Sequence, residues 1–136
     1  MPPTRVLLVE DDAVQRERMR GWLEGPQWTV REAENGREAL KRIQESKPDV
    51  ILLDLMMPEM DGFAVVAALQ KEPRWRDIPV IVITARDLDA KDRERLNSGV
   101  QSVLVKETFR PADLVERIRR LVPSRPFVSG GMEAAS

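Results

Sequence analysis

Four short, continuously apolar runs punctuate the chain: Val6-Leu7-Leu8-Val9, Val50-Ile51-Leu52-Leu53, Val80-Ile81-Val82-Ile83 and Val103-Leu104-Val105. They are rich in β-branched residues and bounded by polar or turn residues. Runs of this kind read as strands buried on both faces, as in a parallel sheet. A fifth segment, Trp28–Ala33, alternates weakly and reads as another strand. Helical patterns stand between and after these runs. Asp12-Ala13-Val14-Gln15 has the Asp-x-x-Gln form of a capping box and opens a helix over 13–24. Val14, Met19, Trp22 and Leu23 form its apolar stripe, and Gly25-Pro26 stops it. Asn35-Gly36-Arg37-Glu38 caps a second helix with Ala39, Leu40 and Ile43 inward, ended by Lys47-Pro48. Residues 58–62 form a loop whose Asp61 caps a third helix carrying Phe63, Val66 and Leu69. A polar connection follows over 73–79. Residues 87–98 are mostly charged, with Leu88 and Leu96 as anchors and Gly99 as the terminating glycine. Pro111 suits the first turn of a last helix, whose face is Leu114, Val115, Ile118, Leu121 and Val122.

Strict alternation of strand and helix calls for an α/β domain: a parallel sheet, helices on both faces and right-handed crossovers. This pattern fills residues 4–122. Residues 123–136 are small, polar and Gly-rich, and read as a disordered tail.

Composition then removes whole classes of chemistry. Lys and Arg total 22 against 23 Asp and Glu, so the net charge is −1. That balance argues against binding nucleic acid through bulk electrostatics. The basic run Arg117, Arg119, Arg120 and Arg125 reads as a solvated helix face, and Trp22, Trp28 and Trp75 as packing residues. The chain holds no Cys and no His. Disulfides, thiolate or imidazole metal sites, a Ser-His triad and a phosphohistidine on this chain are therefore excluded. No apolar run has bilayer length and no signal peptide is visible, so the expected compartment is the cytoplasm.

In an open parallel sheet, ligands bind beyond the carboxyl ends of the strands. There stand Glu10, Asp11 and Asp12, then Asp54, then Thr84 and Ala85, then Lys106. Clustered carboxylates repel one another and call for a cation. An oxygen-only donor set favours a hard ion such as Mg²⁺. A carboxylate facing Mg²⁺ and Lys can attack phosphorus and form an aspartyl-phosphate. Lys and Mg²⁺ neutralise the transferring group, and a Thr hydroxyl donates to one of its oxygens. Asp12 reads as a helix cap rather than a ligand.

Four segments carry a resemblance: Val6-Leu7-Leu8-Val9-Glu10-Asp11-Asp12, Asp54-Leu55-Met56-Met57-Pro58-Glu59-Met60-Asp61-Gly62, Val82-Ile83-Thr84-Ala85 and Leu104-Val105-Lys106. In this order and spacing they resemble the response-regulator receiver domain of two-component signalling, over about residues 5–122. The resemblance implies a flavodoxin-like, doubly wound (βα)5 fold with strand order 2-1-3-4-5. It implies Asp54 as phosphoacceptor and metal ligand, Asp11 as a direct Mg²⁺ ligand and Glu10 as a ligand through water. The backbone carbonyl of Met56 completes the protein ligands. Thr84 hydrogen-bonds the phosphoryl group, Lys106 pairs with it, and Ala85 leaves room for the donor. The donor it implies is a histidine kinase or phosphotransfer protein, and the output is altered binding of a downstream protein.

Such a module is a signalling phosphoacceptor, not an enzyme beyond its own phosphorylation and dephosphorylation. It is free-standing or cut from a hybrid sensor kinase, is a monomer or weak homodimer, and contacts neither nucleic acid nor membrane directly. The alternative is a pseudo-receiver, a binding module independent of phosphorylation. An aspartate-nucleophile phosphatase fits poorly, because Leu55 and Met56 follow Asp54 and no acid–base carboxylate stands two residues on. The chain departs from the family at three places. Val103 stands where an aromatic ring is usual, Lys106 is followed by Glu107-Thr108-Phe109 instead of Pro-Phe, and residues 87–98 are unusually charged.

Overall fold

The structure, a computed structural model, describes residues 2–23, 25–57, 60–85, 87–96 and 100–122. In chain order the elements are β1 (Thr4–Val9), α1 (Ala13–Gly21), β2 (Trp28–Ala33), α2 (Gly36–Glu45) and β3 (Val50–Asp54). There follow α3 (Gly62–Lys71), β4 (Val80–Thr84), α4 (Ala90–Arg95), β5 (Ser102–Val105) and α5 (Pro111–Leu121). The strands pair in parallel in the order β2-β1-β3-β4-β5. This is the doubly wound, flavodoxin-like arrangement that the sequence leads one to expect.

Successive strand residues point to opposite faces, so the continuous apolar runs supply two cores at once. Leu7, Val9, Ile51, Leu53, Val80 and Val82 pack with Ala39 and Ile43 of α2, with Phe63, Val66 and Leu69 of α3, and with Leu88 and Leu96 flanking α4. Val6, Leu8, Leu52, Ile81 and Ile83 pack on the other face with Met19, Leu23, Leu114 and Ile118 from the α1 and α5 sides. Every residue of β3 and β4 is buried.

The caps form where the sequence places them. Asp12 accepts from the amides of Val14 and Gln15, Asn35 from Glu38 and Asp61 from Ala64. Several boundaries move. The first strand starts at Thr4, which pairs with Trp28. The first helix ends at Gly21 rather than 24, because its last turn tightens to i→i−3 bonds from Trp22 to Met19 and from Leu23 to Arg20. Helix α4 is shorter than 87–98. Asp89 and Asp92 close a capping box at its start, and the Leu96 amide bonds back to Arg93 at its end. Leu88 and Leu96 are buried as expected.

Val14 does not belong to the buried stripe: it is 75% exposed. It precedes Met19 by five positions, about 140° round the helix at 3.6 residues per turn, so it faces away from the sheet. Gly99, Pro58 and Glu59 of the 58–62 loop, and the expected tail over 123–136 lie outside the described residues. Among the described residues, no helix is long and apolar enough to cross a membrane.

Candidate functional site

The sheet register sets the strand ends level. Val9 is opposite both Ala33 and Leu53, Asp54 is opposite Ile83, and Thr84 is opposite Val105. The next residues out therefore converge. Glu10 extends the ladder by one bond, its amide donating to the Ala33 carbonyl at 3.0 Å. Glu10, Asp54 and Thr84 are all buried, whereas Asp11 is exposed. Carboxylate oxygens of Glu10, Asp11 and Asp54 lie within 4.8 Å of one another. Lys106 Nζ donates to Glu10 Oε1 at 3.0 Å and stands 3.9 Å from Asp54 Oδ1. Met56 holds its side chain out in solvent, while its amide donates to Asp54 Oδ1 at 3.3 Å. Asp12 is used as the cap of α1, and its own amide donates to Glu10 Oε2 at 3.2 Å.

Electrostatics make this a strained site for anions alone. Burial, then the neighbouring Glu10 charge, push the Asp54 carboxyl up to about 7 from 3.8; Lys106 and the Met56 amide pull the other way. Three carboxylates face one ammonium, and all the donors are oxygen. That donor set fits a hard divalent cation, which would offset the excess negative charge.

Two loops hold these groups in place. After β3 the chain returns so tightly that a Cβ on Gly62 would lie 2.7 Å from the Asp54 carbonyl oxygen and 2.7 Å from Leu55 Cα. The Gly62 amide donates to the Leu55 carbonyl at 3.0 Å, closing this turn. Only glycine allows that approach. After β5, Lys106 bonds through its amide to the Thr84 carbonyl at 2.7 Å. Glu107 then adopts φ 68°, and the Thr108 amide and hydroxyl both donate to the Val105 carbonyl. Proline, with φ fixed near −65°, cannot occupy position 107 in this turn. The missing proline is thus a feature of the backbone path. The following Phe109 meets Trp22 edge to face, with centroids 5.5 Å apart and planes at 83°.

A family model described as "response regulator receiver domain" matches residues 6–119. The chain belongs to the response regulator receiver domain family. It is 36% identical over 134 residues to the response regulator MprA of Mycolicibacterium vanbaalenii, covering 98% of this chain and 57% of that protein. The chain spans about half the length of the curated relatives it matches. Among solved structures, it is similar to the signal receiver domain of a signal transduction histidine kinase from Syntrophus aciditrophicus. The two share 33% identity with a TM-score of 0.78, covering 98% of this chain and 96% of that one. It is also similar to the receiver domain of a sensor histidine kinase from Pseudomonas aeruginosa, at 28% identity and TM-score 0.79, covering 90% and 99%. That structure carries a magnesium ion coordinated in its active-site cleft. Membership of the family supports a two-component phosphoacceptor role.

The receiver fold brings Glu10, Asp11, Asp54 and Lys106 into one cluster and puts the Met56 amide on Asp54. Thr84 ends the adjacent strand, joined to Lys106 through the backbone. Three contributors escaped the sequence reading. Arg16 donates to the Glu10 carbonyl at 2.7 Å and to Glu32 at 3.0 Å, fixing the end of β1. Glu107 in the left-handed region and the Trp22–Phe109 contact shape the Lys106 loop. The only signal available for the last two was the departure at 107–109 itself.

Proposed function

We propose that this receiver accepts a phosphoryl group onto Asp54 from a phosphohistidine of a histidine kinase or phosphotransfer protein, in a Mg²⁺-dependent reaction. It then signals through altered binding of a downstream protein. The observation that carries this reading is the buried Asp54 carboxylate, clustered with Glu10 and Asp11 and 3.9 Å from the Lys106 ammonium. An Asp54 oxygen attacks phosphorus. The O–P bond forms as the donor's N–P bond breaks, and the N–P electron pair stays on the imidazole nitrogen, which takes a proton from solvent. Asp11, Asp54 and the Met56 carbonyl would hold Mg²⁺, with Glu10 acting through water. When bound, the ion supplies neutralisation of charge on the phosphoryl oxygens.

Lys106 is placed to exchange its bond with Glu10 for one with a phosphoryl oxygen, and the Thr84 hydroxyl donates to another. Ala85, small and exposed, leaves the approach open. The receiver unit spans 4–122 and works in the cytoplasm as a monomer or weak homodimer. The complete set of Asp11, Asp54, Thr84 and Lys106 supports this reading over a pseudo-receiver.

The test is incubation with acetyl phosphate and Mg²⁺, followed by intact mass. A single phosphoryl adduct that is labile to base, absent in Asp54→Asn, is the expected result. No adduct, or an equal adduct in Asp54→Asn, overturns the assignment.

A further inference from the structure

We infer that Trp22 is a positioning residue for phosphoryl transfer, acting through Phe109 on the loop that aims Lys106. The inference rests on the reading of Lys106 given above. Lys106 follows the last residue of β5 and opens the loop that leads to α5, and a lysine is a point charge on a flexible four-carbon stem. Its aim is therefore set by where its backbone is held.

Three features hold that backbone. The Lys106 amide is tied to the Thr84 carbonyl at 2.7 Å. Glu107 turns the chain at φ 68°, with Thr108 bonded back to Val105. The turn then throws Phe109 inward, where it packs with the apolar face beside α1 and α5 and meets Trp22.

Trp22 is the C-cap residue of α1, so its position is fixed by the helix that Asp12 starts beside Glu10. The Trp22–Phe109 pair thus ties the lysine loop to the element that presents the acidic cluster. The space beneath the loop is otherwise loosely filled. A cavity of about 120 Å³ lies there, lined among others by Met19, Trp22, Ile83, Lys106 and Phe109. With that gap behind it, the loop leans on an aromatic edge contact where a rigid Lys-Pro turn would need no such support. Loss of the contact lets the loop settle into the cavity and draws Lys106 off its line to Asp54.

The test is a double-mutant cycle read by the rate of Asp54 phosphorylation with acetyl phosphate and Mg²⁺. Trp22→Ala and Phe109→Leu are each measured in wild-type and Lys106→Ala backgrounds, with slow rates followed over long incubation. Mg²⁺ affinity and thermal stability are measured on the same samples. Trp22→Ala is expected to slow phosphorylation about tenfold, below the roughly hundredfold that a 1 Å misplacement can cost. Trp22→Phe restores most of the rate. Mg²⁺ affinity stays as in wild type, since the acidic ligands are not moved.

In the Lys106→Ala background, Trp22→Ala produces no further loss. An equal loss in both backgrounds overturns the inference, because Trp22 then acts elsewhere. Unchanged rates in Trp22→Ala and Phe109→Leu also overturn it. If Trp22→Ala does not fold, Phe109→Leu and Trp22→Phe decide by the same criteria. A wild-type rate in Lys106→Ala alone overturns the site reading instead, and is distinguishable from both.

Discussion

Asp54 is a buried carboxyl whose neighbours oppose its ionisation, so metal-free receiver stability must depend on pH in a definite direction. Its carboxyl is raised to about 7 in the fold, against 3.8 for an ordinary aspartate. The folded state therefore keeps a proton that the unfolded chain has lost. Such a group contributes stability fully below the unfolded value near 4, and this contribution is lost as pH rises through about 7. With about 1.36 kcal/mol per pKa unit, most of the loss between pH 5 and 8 amounts to about 2 kcal/mol. Asp54→Asn keeps the shape and removes the titration. The difference in stability between the variant and wild type should therefore widen by about 2 kcal/mol from pH 5 to 8, in favour of the variant. Urea unfolding in EDTA at several pH values reads this as a relative midpoint shift of roughly 1 M, given slopes of about 1–3 kcal/mol per M. Saturating Mg²⁺ should narrow the gap at pH 8, because a ligand that binds only the folded state adds about 2.7 kcal/mol at a hundred times its Kd. A gap that does not change with pH would falsify the claim that Asp54 is held by burial against a neighbouring charge.

Gly62→Ala should cost about 1–3 kcal/mol and slow Asp54 phosphorylation, because the new Cβ meets backbone rather than a yielding side chain; urea unfolding and adduct formation measure the two. Glu107→Gly should stabilise the fold by about 1 kcal/mol by removing the left-handed penalty on a side-chain-bearing residue. Glu107→Pro, which restores the common family dipeptide, should destabilise it; thermal melts of both variants settle the order, and a stable proline variant would refute the turn geometry. Asp11→Ala should weaken Mg²⁺ binding at least about tenfold, as loss of a charged ligand does, whereas Asp12→Ala should chiefly cost about 1 kcal/mol of helix cap. Calorimetric titration showing the reverse order would shift the acidic pair by one residue.

The parts of this receiver that were legible in its sequence are those where one residue type answers one local demand. Continuous apolar runs such as Val80–Ile83 have nowhere to go but a doubly covered sheet, and Asp12, Asn35 and Asp61 cap the helices they precede. The acids at the ends of β1 and β3 were visible because strand ends in a parallel sheet are where ligands gather. Val14 misled because an apolar residue near a helix start is counted into the stripe before its angle is fixed; here the sheet-facing direction is set by Met19 and Leu23. The end of α1 moved because a tightening last turn is written in carbonyl geometry, not in side chains. The contacts of Arg16 and the pairing of Trp22 with Phe109 went unread for another reason. Their partners are distant in sequence or lie on another element, and no periodicity links position 22 to position 109.

The residues that disobey ordinary folding rules lie together. A buried carboxylate beside another carboxylate, a glutamate at positive φ and a glycine compressed against backbone all sit at the carboxyl edge of the sheet. Away from that edge, among the described residues, no charged side chain is fully buried. Folding selection on its own would replace Asp54 with a neutral residue and Glu107 with glycine, each to advantage. Their presence at one edge has a common explanation in what the edge must do. A nucleophile for phosphorus has to be poorly solvated to be reactive, yet close to cationic groups that take up charge as it reacts. In the proposed reaction, burial of Asp54 would meet the first demand, and the Lys106 loop, bent at Glu107 and packed through Phe109 on Trp22, would meet the second.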